Sequence, residues 1–305
     1  MSTQHEPRIT GVVILSVVAK NLRHPSIRAR SLRYPLREFP TYAQDDNCCD
    51  CSHNESVAHW WRRELESYDG RLMRCAPGTH EAAAAFVQRH VPKEARVLDL
   101  ASGTGAFLAR LRDLGYANLG AVELNVESFK LDGVTPQPLD LNSNFADSLP
   151  RDFKLVSAIE IIEHLDSPRP FLRNIRAVLA DGGYLLLTTP NVAHWLGRLR
   201  FALSGELRQF QRRDYDYQRH ISPITDVQMR ILFEEVGFEL IEFATAGTFF
   251  GPLKRAMVSP LRGLAHVTLG KLASGGDVSV YLVRKIAAAS QSAGRDSFYF
   301  RQTGA

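Results

Sequence analysis

The chain has 305 residues, of which 45% are hydrophobic and 23% are charged, and its formal net charge is +4. This is the composition of a folded globular protein, and the length allows one large or two small domains around a substantial core. The small net charge gives no argument for nucleic-acid binding. No apolar run approaches the roughly 18 residues that cross a bilayer, so the sequence predicts no membrane-spanning helix.

The first 55 residues differ from the rest of the chain. Residues 1–40 contain seven basic and two acidic residues, and prolines at 25, 35 and 40 would break a long helix. Three interpretations stay open: a disordered basic arm, an organelle transit sequence, or sequence upstream of the true start. We expect residues 1–55 to be a disordered arm, residues 56–285 to form the folded domain, and residues 286–305 to be a flexible tail.

All four cysteines precede the predicted sheet: Cys48, Cys49, Cys51 and Cys75. The first three, with His53, are spaced more tightly than a Cys-x-x-Cys pair, and no second ligand pair follows. We therefore expect a flexible polar segment there rather than a metal site. Because no disulfide framework fits a core without cysteine, a reducing compartment is favoured, and we expect a cytoplasmic protein unless residues 1–40 target an organelle.

The most informative run is residues 97–107. An apolar stretch that includes Asp99 predicts a buried strand, which is followed by a turn with Gly103 and Gly105 and by the start of a helix. A strand, a glycine turn and a helix start bring backbone N–H groups against a nucleotide-like ligand. The glycines alone are a weak signal, because Leu108 stands where a dinucleotide-binding pattern has its third glycine.

Acidic residues stand at the ends of three successive predicted strands. Asp99 lies four residues before Gly103, where it would repel a pyrophosphate and suit a cationic or amine-bearing ligand. Glu123, about 20 residues past the glycines, lies where such folds place a carboxylate on ribose hydroxyls. Asp140 ends the third strand. Each acid alone fits an exposed strand end equally well, but the three together favour a ligand site.

Residues 97–105 resemble the first motif of the class I S-adenosylmethionine-dependent methyltransferases. Ala101 stands where many members have glycine, and alanine is tolerated there if its backbone keeps φ below zero. The resemblance covers residues 80–285 and identifies residues 56–285 as a methyltransferase domain. It implies S-adenosylmethionine as the cofactor.

The resemblance also implies a role for each cofactor-side residue. Gly103 and Gly105 would let the backbone approach the methionine moiety, and Glu123 would bind the ribose hydroxyls. Asp140 and Leu141 would lie beside the adenine. The implied cofactor-binding residues are Asp99, Ala101, Gly103, Gly105, Glu123, Asp140, Leu141 and Glu160.

From residue 79 onward, predicted helices and strands alternate. The pattern predicts helices at 79–90, from 107, at 168–179 and at 224–236. It predicts strands at 96–100, 119–123, 134–139, 153–159, 183–189, 238–243 and 278–283. Such alternation predicts an α/β fold with a doubly wound, mostly parallel sheet. The resemblance implies the Rossmann-like seven-stranded methyltransferase fold, whose last strand is antiparallel.

Residues 158–165 form a second group of polar side chains, beside the end of the fourth predicted strand. Glu160, Glu163 and His164 lie close together there and border the same cleft as Asp99. They could bind a divalent metal, with Mg²⁺ or Mn²⁺ favoured by oxygen ligands and Zn²⁺ by histidine, or His164 could act as a base. Alternatively, Glu160 orients the cofactor and the other two belong to a solvated helix start, where acids are favoured.

This Glu-x-x-Glu-His pattern, with Thr-Thr-Pro-Asn at 188–191, looks like two related groups: the ubiquinone-biosynthesis O-methyltransferases and the small-RNA 2′-O-methyltransferases. In these families, the three residues and a later histidine ligate a divalent cation next to the accepting hydroxyl. Glu160, Glu163 and His164 match residue by residue, and His220 matches approximately. The resemblance therefore implies these four as metal ligands, and His164 and His220 as the catalytic pair.

The acceptor is expected to be set by residues 192–223, which are rich in aromatic residues and arginine. Such a segment fits a lipid-tailed phenol, an anionic sugar, a phosphate or RNA, and a plain solvated lid fits it as well. Residues 249–272 mix basic and apolar side chains with two prolines. They predict a broken interfacial helix and, with it, a peripheral membrane contact.

The expected activity is methylation of a hydroxyl of a small molecule, such as a phenol, a quinone precursor or a sugar. A hydroxyl must lose a proton, and the histidines could take it. The alternatives are an RNA 2′-O-methyltransferase, a non-catalytic nucleotide-binding scaffold and an NAD-dependent oxidoreductase. RNA is less favoured because the net charge is modest. The sequence does not indicate the oligomeric state.

Overall fold

A computed structural model describes residues 66–249, 259–260 and 275–286. No helix in these residues is long and apolar enough to cross a membrane. Several predicted features fall outside them: the basic arm at 1–55 with its cysteine cluster, the first part of the domain at 56–65, most of the interfacial segment at 249–272, and the tail from residue 287.

The described elements include the strands and helices that the sequence predicts from residue 79 onward and others that it does not predict, among them two short strands before residue 73 and two helices between residues 195 and 218. The strands are β1 (Ser67–Tyr68), β2 (Arg71–Leu72), β3 (Val97–Leu100), β4 (Leu119–Val122), β5 (Pro136–Gln137), β6 (Phe153–Ala158), β7 (Leu179–Pro190), β8 (Phe238–Ala246) and β9 (Val278–Lys285). The α-helices are α1 (Thr79–His90), α2 (Ala106–Asp113), α3 (Pro168–Val178), α4 (Trp195–Ser204), α5 (Arg212–Gln218) and α6 (Asp226–Val236).

Within the described residues, the main sheet has the strand order β5-β4-β3-β6-β7-β9-β8. Strands β3 to β7 pair in parallel, and β9 runs antiparallel between β7 and β8. This confirms the predicted doubly wound sheet with an antiparallel last strand. The strand order reverses between β3 and β6, and such a switch point opens a crevice at the carboxyl ends of the strands.

The sheet is buried on both faces, as the alternation of its side chains shows. Leu185 and Leu187 of β7 pack in the apolar layer that contains α3 and α6, whereas Leu186 packs in the layer that contains α1 and α2. Successive side chains of a strand point to opposite faces, so a continuous leucine run fills both layers. The crevice therefore stands on a rigid base.

The ends of α6 follow from local chemistry. Thr225 Oγ1 accepts a hydrogen bond from Gln228 N (3.2 Å), and Gln228 Oε1 accepts one from Thr225 N (3.0 Å), which is a capping box. The helix ends at Gly237, whose φ of 91° is left-handed. Thr225 caps the helix from outside, so α6 begins two residues later than the predicted residue 224.

Two predicted strands differ from those observed. The third strand, predicted at 134–139, is reduced to Pro136–Gln137. Pro136 and Pro138 have no N–H to donate, so this edge strand cannot extend. The fifth begins at Leu179 rather than at residue 183, because Leu179 already pairs with Phe153 of β6, and the register shifts before Tyr184 pairs with Leu155.

Candidate active site

The turn between β3 and α2 lies at the carboxyl edge of the sheet and has an unusual backbone. Ala101, Gly103 and Gly105 have φ angles of 54°, 55° and 81°. The negative φ that was expected to make alanine tolerable at position 101 is therefore not observed. A left-handed alanine costs about 1 kcal/mol, and the turn is held in this form by the bond from Ser102 N to the Val122 carbonyl (3.0 Å).

The two glycines of this turn are required for different reasons. A Cβ on Gly105 would lie 2.9 Å from Leu131 Cβ and 3.0 Å from the Phe129 ring, so the protein's own side chains fill that space. A Cβ on Gly103 would meet nothing within 4 Å. The implied role for both glycines, room for a ligand, is therefore consistent with the geometry at Gly103, whereas Gly105 makes room for packing.

Glu123 joins the glycine turn to the end of β4. Its Oε2 accepts a hydrogen bond from Gly103 N (2.7 Å), and its Oε1 accepts one from Asn125 N (3.0 Å). The residue is half-buried, and each carboxylate oxygen has a second lone pair. The side chain is thus fixed beside the turn with acceptor capacity to spare.

Asp99 is buried, so the alternative of an exposed strand-end acid is wrong for this residue. It is the third residue of β3, it is 2% exposed, and its Oδ1 accepts a 2.5 Å hydrogen bond from Ser157 Oγ on β6. Burial raises the pKa of Asp99 to about 7, although hydrogen bonds from Ser157 and Ser102 oppose the shift. Asp99 is therefore only partly ionised near neutral pH.

Asp140 and Leu141 follow β5 and differ in exposure. Asp140 is exposed, and its Oδ1 accepts a hydrogen bond from Asn142 N (2.9 Å). Leu141 is 8% exposed and packs in the core layer with Phe145. This pairing gives the crevice a polar rim next to an apolar surface.

Glu160 turns toward β7. Its backbone is left-handed, with φ at 50°, and its N donates to Thr188 Oγ1 (3.0 Å). The same hydroxyl donates to Glu160 Oε1 (2.9 Å). Burial raises the pKa of Glu160 to about 7. Two hydrogen bonds and a constrained backbone therefore fix this carboxyl group.

Glu163, His164 and His220 form a compact cluster, in which one ligand atom from each lies within 4.8 Å of the others. Glu163 is fully buried. Its Oε2 accepts a hydrogen bond from Thr189 Oγ1 (3.1 Å), whereas its Oε1 has no hydrogen-bond partner among the described residues. Of the four implied metal ligands, the structure brings these three together. Glu160 lies outside the group, because its carboxyl group bonds Thr188 instead.

The backbone explains how His220 reaches a cluster 56 residues earlier in the chain. The Glu163 carbonyl accepts hydrogen bonds from the N–H groups of Ile221 and Ser222, both at 3.0 Å. These bonds hold the residues after His220 against the turn that follows β6. The approximate match of His220 to the later histidine of the resembling families is thus accompanied by proximity.

The two imidazoles are both neutral near pH 7. Their rings meet edge to face, with centroids 4.8 Å apart. Burial lowers the pKa of His164 to about 4, with a further contribution from His220, and burial also lowers the pKa of His220. His220 Nδ1 lies 2.8 Å from the Gln209 carbonyl, to which only an N–H can donate, so His220 Nε2 carries a lone pair. Burial and the charge of Glu160 raise the pKa of Glu163.

A cavity of about 410 Å³ adjoins His220 in the segment that was expected to set the acceptor. Most of its lining is aromatic or aliphatic: Phe201, Leu207, Phe210, Tyr215, Ile221 and Pro223. Glu206 and Arg212 lie at the same cavity. An apolar concavity with a few polar groups is the usual form of a small-molecule site.

The sequence does not indicate the roles of two sets of residues in and near this site. The Thr-Thr-Pro-Asn motif includes Thr188 and Thr189, but no pattern in the sequence indicates that their hydroxyl groups bond Glu160 and Glu163. Asp277, just before β9, is 1% exposed and pairs with Arg208. A lone acid directly ahead of an apolar strand was the one available signal for it.

Comparison with known proteins gives consistent results. Residues 70–242, more than half of the chain, match the family model described as a methyltransferase domain. The chain is 26% identical over 206 residues to the carboxy-S-adenosyl-L-methionine synthase of Desulfotalea psychrophila. This alignment covers 59% of this chain and 84% of that protein. It is 27% identical over 148 residues to a mitochondrial ubiquinone biosynthesis O-methyltransferase of Schizosaccharomyces pombe. This second alignment covers 45% of this chain and 52% of that protein.

A crystal structure with a similar arrangement is a SAM-dependent methyltransferase from Archaeoglobus fulgidus. It has a TM-score of 0.46 and 18% sequence identity. The superposition covers 68% of this chain and 95% of that chain.

Proposed function

Since this chain belongs to the methyltransferase domain family and is an S-adenosylmethionine-dependent methyltransferase, we propose that it methylates a hydroxyl group of a small molecule. The observation that carries this proposal is the neutral His164–His220 pair beside Glu163, with His220 also lining an apolar cavity. Family membership decides against the NAD-dependent oxidoreductase. A cytoplasmic location stays a prediction, because the relatives include a protein named as mitochondrial.

The cofactor side has groups that fit S-adenosylmethionine. When bound, the cofactor supplies the electrophilic methyl group of a sulfonium. Glu123 would accept hydrogen bonds from the ribose hydroxyls, and the open side of Gly103 would admit the methionine part. Asp140 and Leu141 would receive the adenine, one with a polar group and the other with an apolar one. Asp99, which is buried, and Glu160, which is half-buried, both have a pKa raised to about 7, so a cationic ligand would favour their ionised forms.

The acceptor side fits a divalent cation. Glu163 Oε1 is a buried oxygen without a hydrogen-bond partner in the part of the chain that the structure describes, and His220 Nε2 has a lone pair because Nδ1 is bonded to Gln209. Together with His164, these atoms are a donor set that Mn²⁺ or Zn²⁺ accepts. When bound, a cation would lower the pKa of an acceptor hydroxyl. We leave Glu160 out of the set, since Thr188 holds it.

The chain's own residues also provide a route for the proton. His164 is neutral, and 28% of its side chain is exposed, so it is the more accessible of the two imidazoles. We propose that, with no cation bound, it accepts the proton of the hydroxyl, directly or by way of water, because the single lone pair of a neutral imidazole cannot hold a cation and a proton at once. The apolar walls around His220 would hold the body of the acceptor and exclude water, which aligns hydroxyl and methyl group.

The test uses the full-length protein, S-adenosylmethionine and three acceptors: catechol, glucose and an RNA oligonucleotide with a free 3′ end. Mass spectrometry should find methylated catechol, with less product after EDTA treatment and recovery on adding Mn²⁺. Methylation of the RNA alone would favour the 2′-O-methyltransferase alternative. Activity unchanged by EDTA would refute the metal. In a parallel reaction to which a carboxyl donor is added, formation of carboxy-S-adenosylmethionine, the product that the name of the first relative states, would replace the proposal.

A further inference from the structure

Asp277 is a buried acid that contacts several residues of the segment after β7. Its carboxylate pairs with Arg208, and its Oδ1 lies 3.7 Å from His194 Nε2. Its Oδ2 accepts a hydrogen bond from Phe249 N (2.6 Å). The side chain of Asp277 is 1% exposed, so these are interactions of a desolvated charge. Such interactions hold their partners more firmly than exposed ion pairs do.

The backbone of Asp277 binds the same segment. Its carbonyl accepts hydrogen bonds from Asn191 N (2.9 Å) and from Gln209 Nε2 (3.2 Å). The segment is therefore fastened to one residue near its beginning, at Asn191 and His194, and again in its middle, at Arg208 and Gln209. All of these contacts lie at the sheet edge that carries the candidate active site.

Gln209 is the link from Asp277 to the cluster. Its backbone is left-handed, with φ at 69°, a conformation that a non-glycine residue keeps only when its surroundings impose it. Its side chain is held by the Asp277 carbonyl, and its neighbour Arg208 by the Asp277 carboxylate. Its own carbonyl accepts the hydrogen bond from His220 Nδ1.

We propose that Asp277 is a positioning residue for His220, acting through Arg208 and Gln209. It holds the constrained backbone at Gln209 so that the Gln209 carbonyl fixes the proton of His220 on Nδ1. His220 Nε2 then keeps its lone pair for the cluster with His164 and Glu163. The inference rests on the proposed function, in which His220 acts as a ligand beside the acceptor.

The alternative is that Asp277 only neutralises the Arg208 guanidinium and stabilises the fold. The two roles differ in what they predict for the imidazole. A positioning residue controls the tautomer, and a ring protonated on Nε2 would present a donor to the cluster and could not ligate through that atom. A merely structural residue would leave the tautomer unchanged.

The test compares wild type, Asp277→Asn, Gln209→Gly and Glu206→Gln by ¹⁵N NMR of the histidine rings in the metal-free protein. Asp277→Asn removes the charge that binds Arg208 but keeps the backbone carbonyl. Gln209→Gly removes the side-chain anchor while glycine accepts the positive φ, so it loosens the link without strain. Glu206→Gln is the matched control, because Glu206 pairs with Arg200 in the same segment and is exposed.

Wild type and Glu206→Gln should show His220 protonated on Nδ1. Asp277→Asn and Gln209→Gly should show a mixture of tautomers, and their Mn²⁺ affinity, measured by calorimetry, should fall about 10-fold. An Asp277→Asn protein with a lower melting temperature but the control's tautomer and Mn²⁺ affinity would overturn the proposal. If Asp277→Asn does not fold, an unchanged tautomer in Gln209→Gly would overturn it.

The tautomer measurement also separates this inference from the proposed function. A wild-type protein that binds no Mn²⁺ and methylates no hydroxyl would contradict the proposed function. The NMR comparison would then still decide whether Asp277 controls the tautomer of His220.

Discussion

The cofactor side and the acceptor side of this molecule are built in different ways. On the cofactor side, one turn from Ala101 to Gly105 is closed by bonds to the neighbouring strand end, and Glu123 caps it. On the acceptor side, Glu163 and His220 come from segments far apart in the chain, and Asp277 supports them from a third. In the proposed function, a local motif would therefore define where the cofactor binds, whereas tertiary contacts would define the acceptor chemistry.

The two sides also differ in charge. Asp99 is a buried acid and Glu160 is a half-buried one, and the pKa of each is raised to about 7, so a positive ligand would favour their ionised forms. His164 and His220 have lowered pKa values and are neutral, so both can act as bases or ligands near pH 7. Variants on each side should therefore have separable effects on cofactor binding and on methyl transfer.

The largest loss of stability is expected from Gly105→Ala. The new Cβ would collide with Leu131 and Phe129, and alanine would have to adopt a φ of 81°. Overpacking and the left-handed backbone together should cost about 2–4 kcal/mol in the free energy of unfolding. Urea denaturation followed by circular dichroism measures this change.

Gly103→Ala is the matched control for that substitution. It has a similar positive φ but open space around the new Cβ, so the cost should be about 1 kcal/mol. Equal losses for the two variants would show that the packing against Leu131 does not matter.

Glu163→Gln should abolish most methyl transfer without weakening the fold. The site favours a neutral group at this position, because burial raises the pKa of Glu163, and glutamine has the same shape. We expect the rate to fall about 100-fold, since the loss of the Glu163 carboxylate would weaken both the binding of the cation and the contacts around it. Release of S-adenosylhomocysteine measures the rate, and the melting temperature should stay that of wild type. A rate within experimental error of wild type would remove Glu163 from the site.

Glu123→Ala should weaken the binding of S-adenosylmethionine about 10-fold, the effect of losing charge-assisted hydrogen bonds to a ligand. Asp140→Asn is the comparison, and its affinity should fall less, because asparagine keeps an oxygen that accepts the hydrogen bond from Asn142 N and still offers a polar group to the adenine. Calorimetry with S-adenosylmethionine measures both. Binding as tight as wild type in Glu123→Ala would mean that this carboxylate only caps the turn.

The smallest effect at neutral pH is expected at His80, which packs edge-on against Phe107 of α2 on the cofactor side. Burial lowers the pKa of His80 to about 3, so the folded state favours the neutral imidazole. Its contribution to stability is present above pH 6.5 and is lost as the pH falls from 6.5 toward 3. Linkage predicts a loss of about 1 kcal/mol between pH 7 and 5.5.

His80→Phe should reduce that loss, since phenylalanine does not titrate. The measurement is the urea midpoint of both proteins from pH 7 to pH 5. Identical pH dependence in the two proteins would show that His80 is not responsible.

The sequence predicted the strand and the turn of the cofactor side because the signals for them are local. The strand, the turn with Gly103 and Gly105, and Glu123 at the next strand end all follow from short patterns. Local patterns could not show that Ala101 adopts a positive φ, since the bond from Ser102 to Val122 that supports the turn crosses to another strand. They also could not show the burial of Asp99, which depends on Ser157.

The acceptor side was predicted only in part. The Glu-x-x-Glu-His pattern indicated Glu163 and His164, but the pattern does not report that Glu160 bonds Thr188. The approach of His220 depends on the bonds from Ile221 and Ser222 to the Glu163 carbonyl, which link positions more than 50 residues apart. Nothing in the spacing of the chain points to Asp277.

The most direct test of this two-sided account measures the dissociation constant of S-adenosylmethionine and the rate of methyl transfer in Glu123→Ala and Glu163→Gln together. We predict that Glu163→Gln keeps the dissociation constant within about two-fold of wild type but loses transfer, and that Glu123→Ala raises the dissociation constant about 10-fold and recovers transfer at saturating cofactor. A Glu163→Gln protein that binds the cofactor as weakly as Glu123→Ala, or that transfers methyl groups normally, would contradict it.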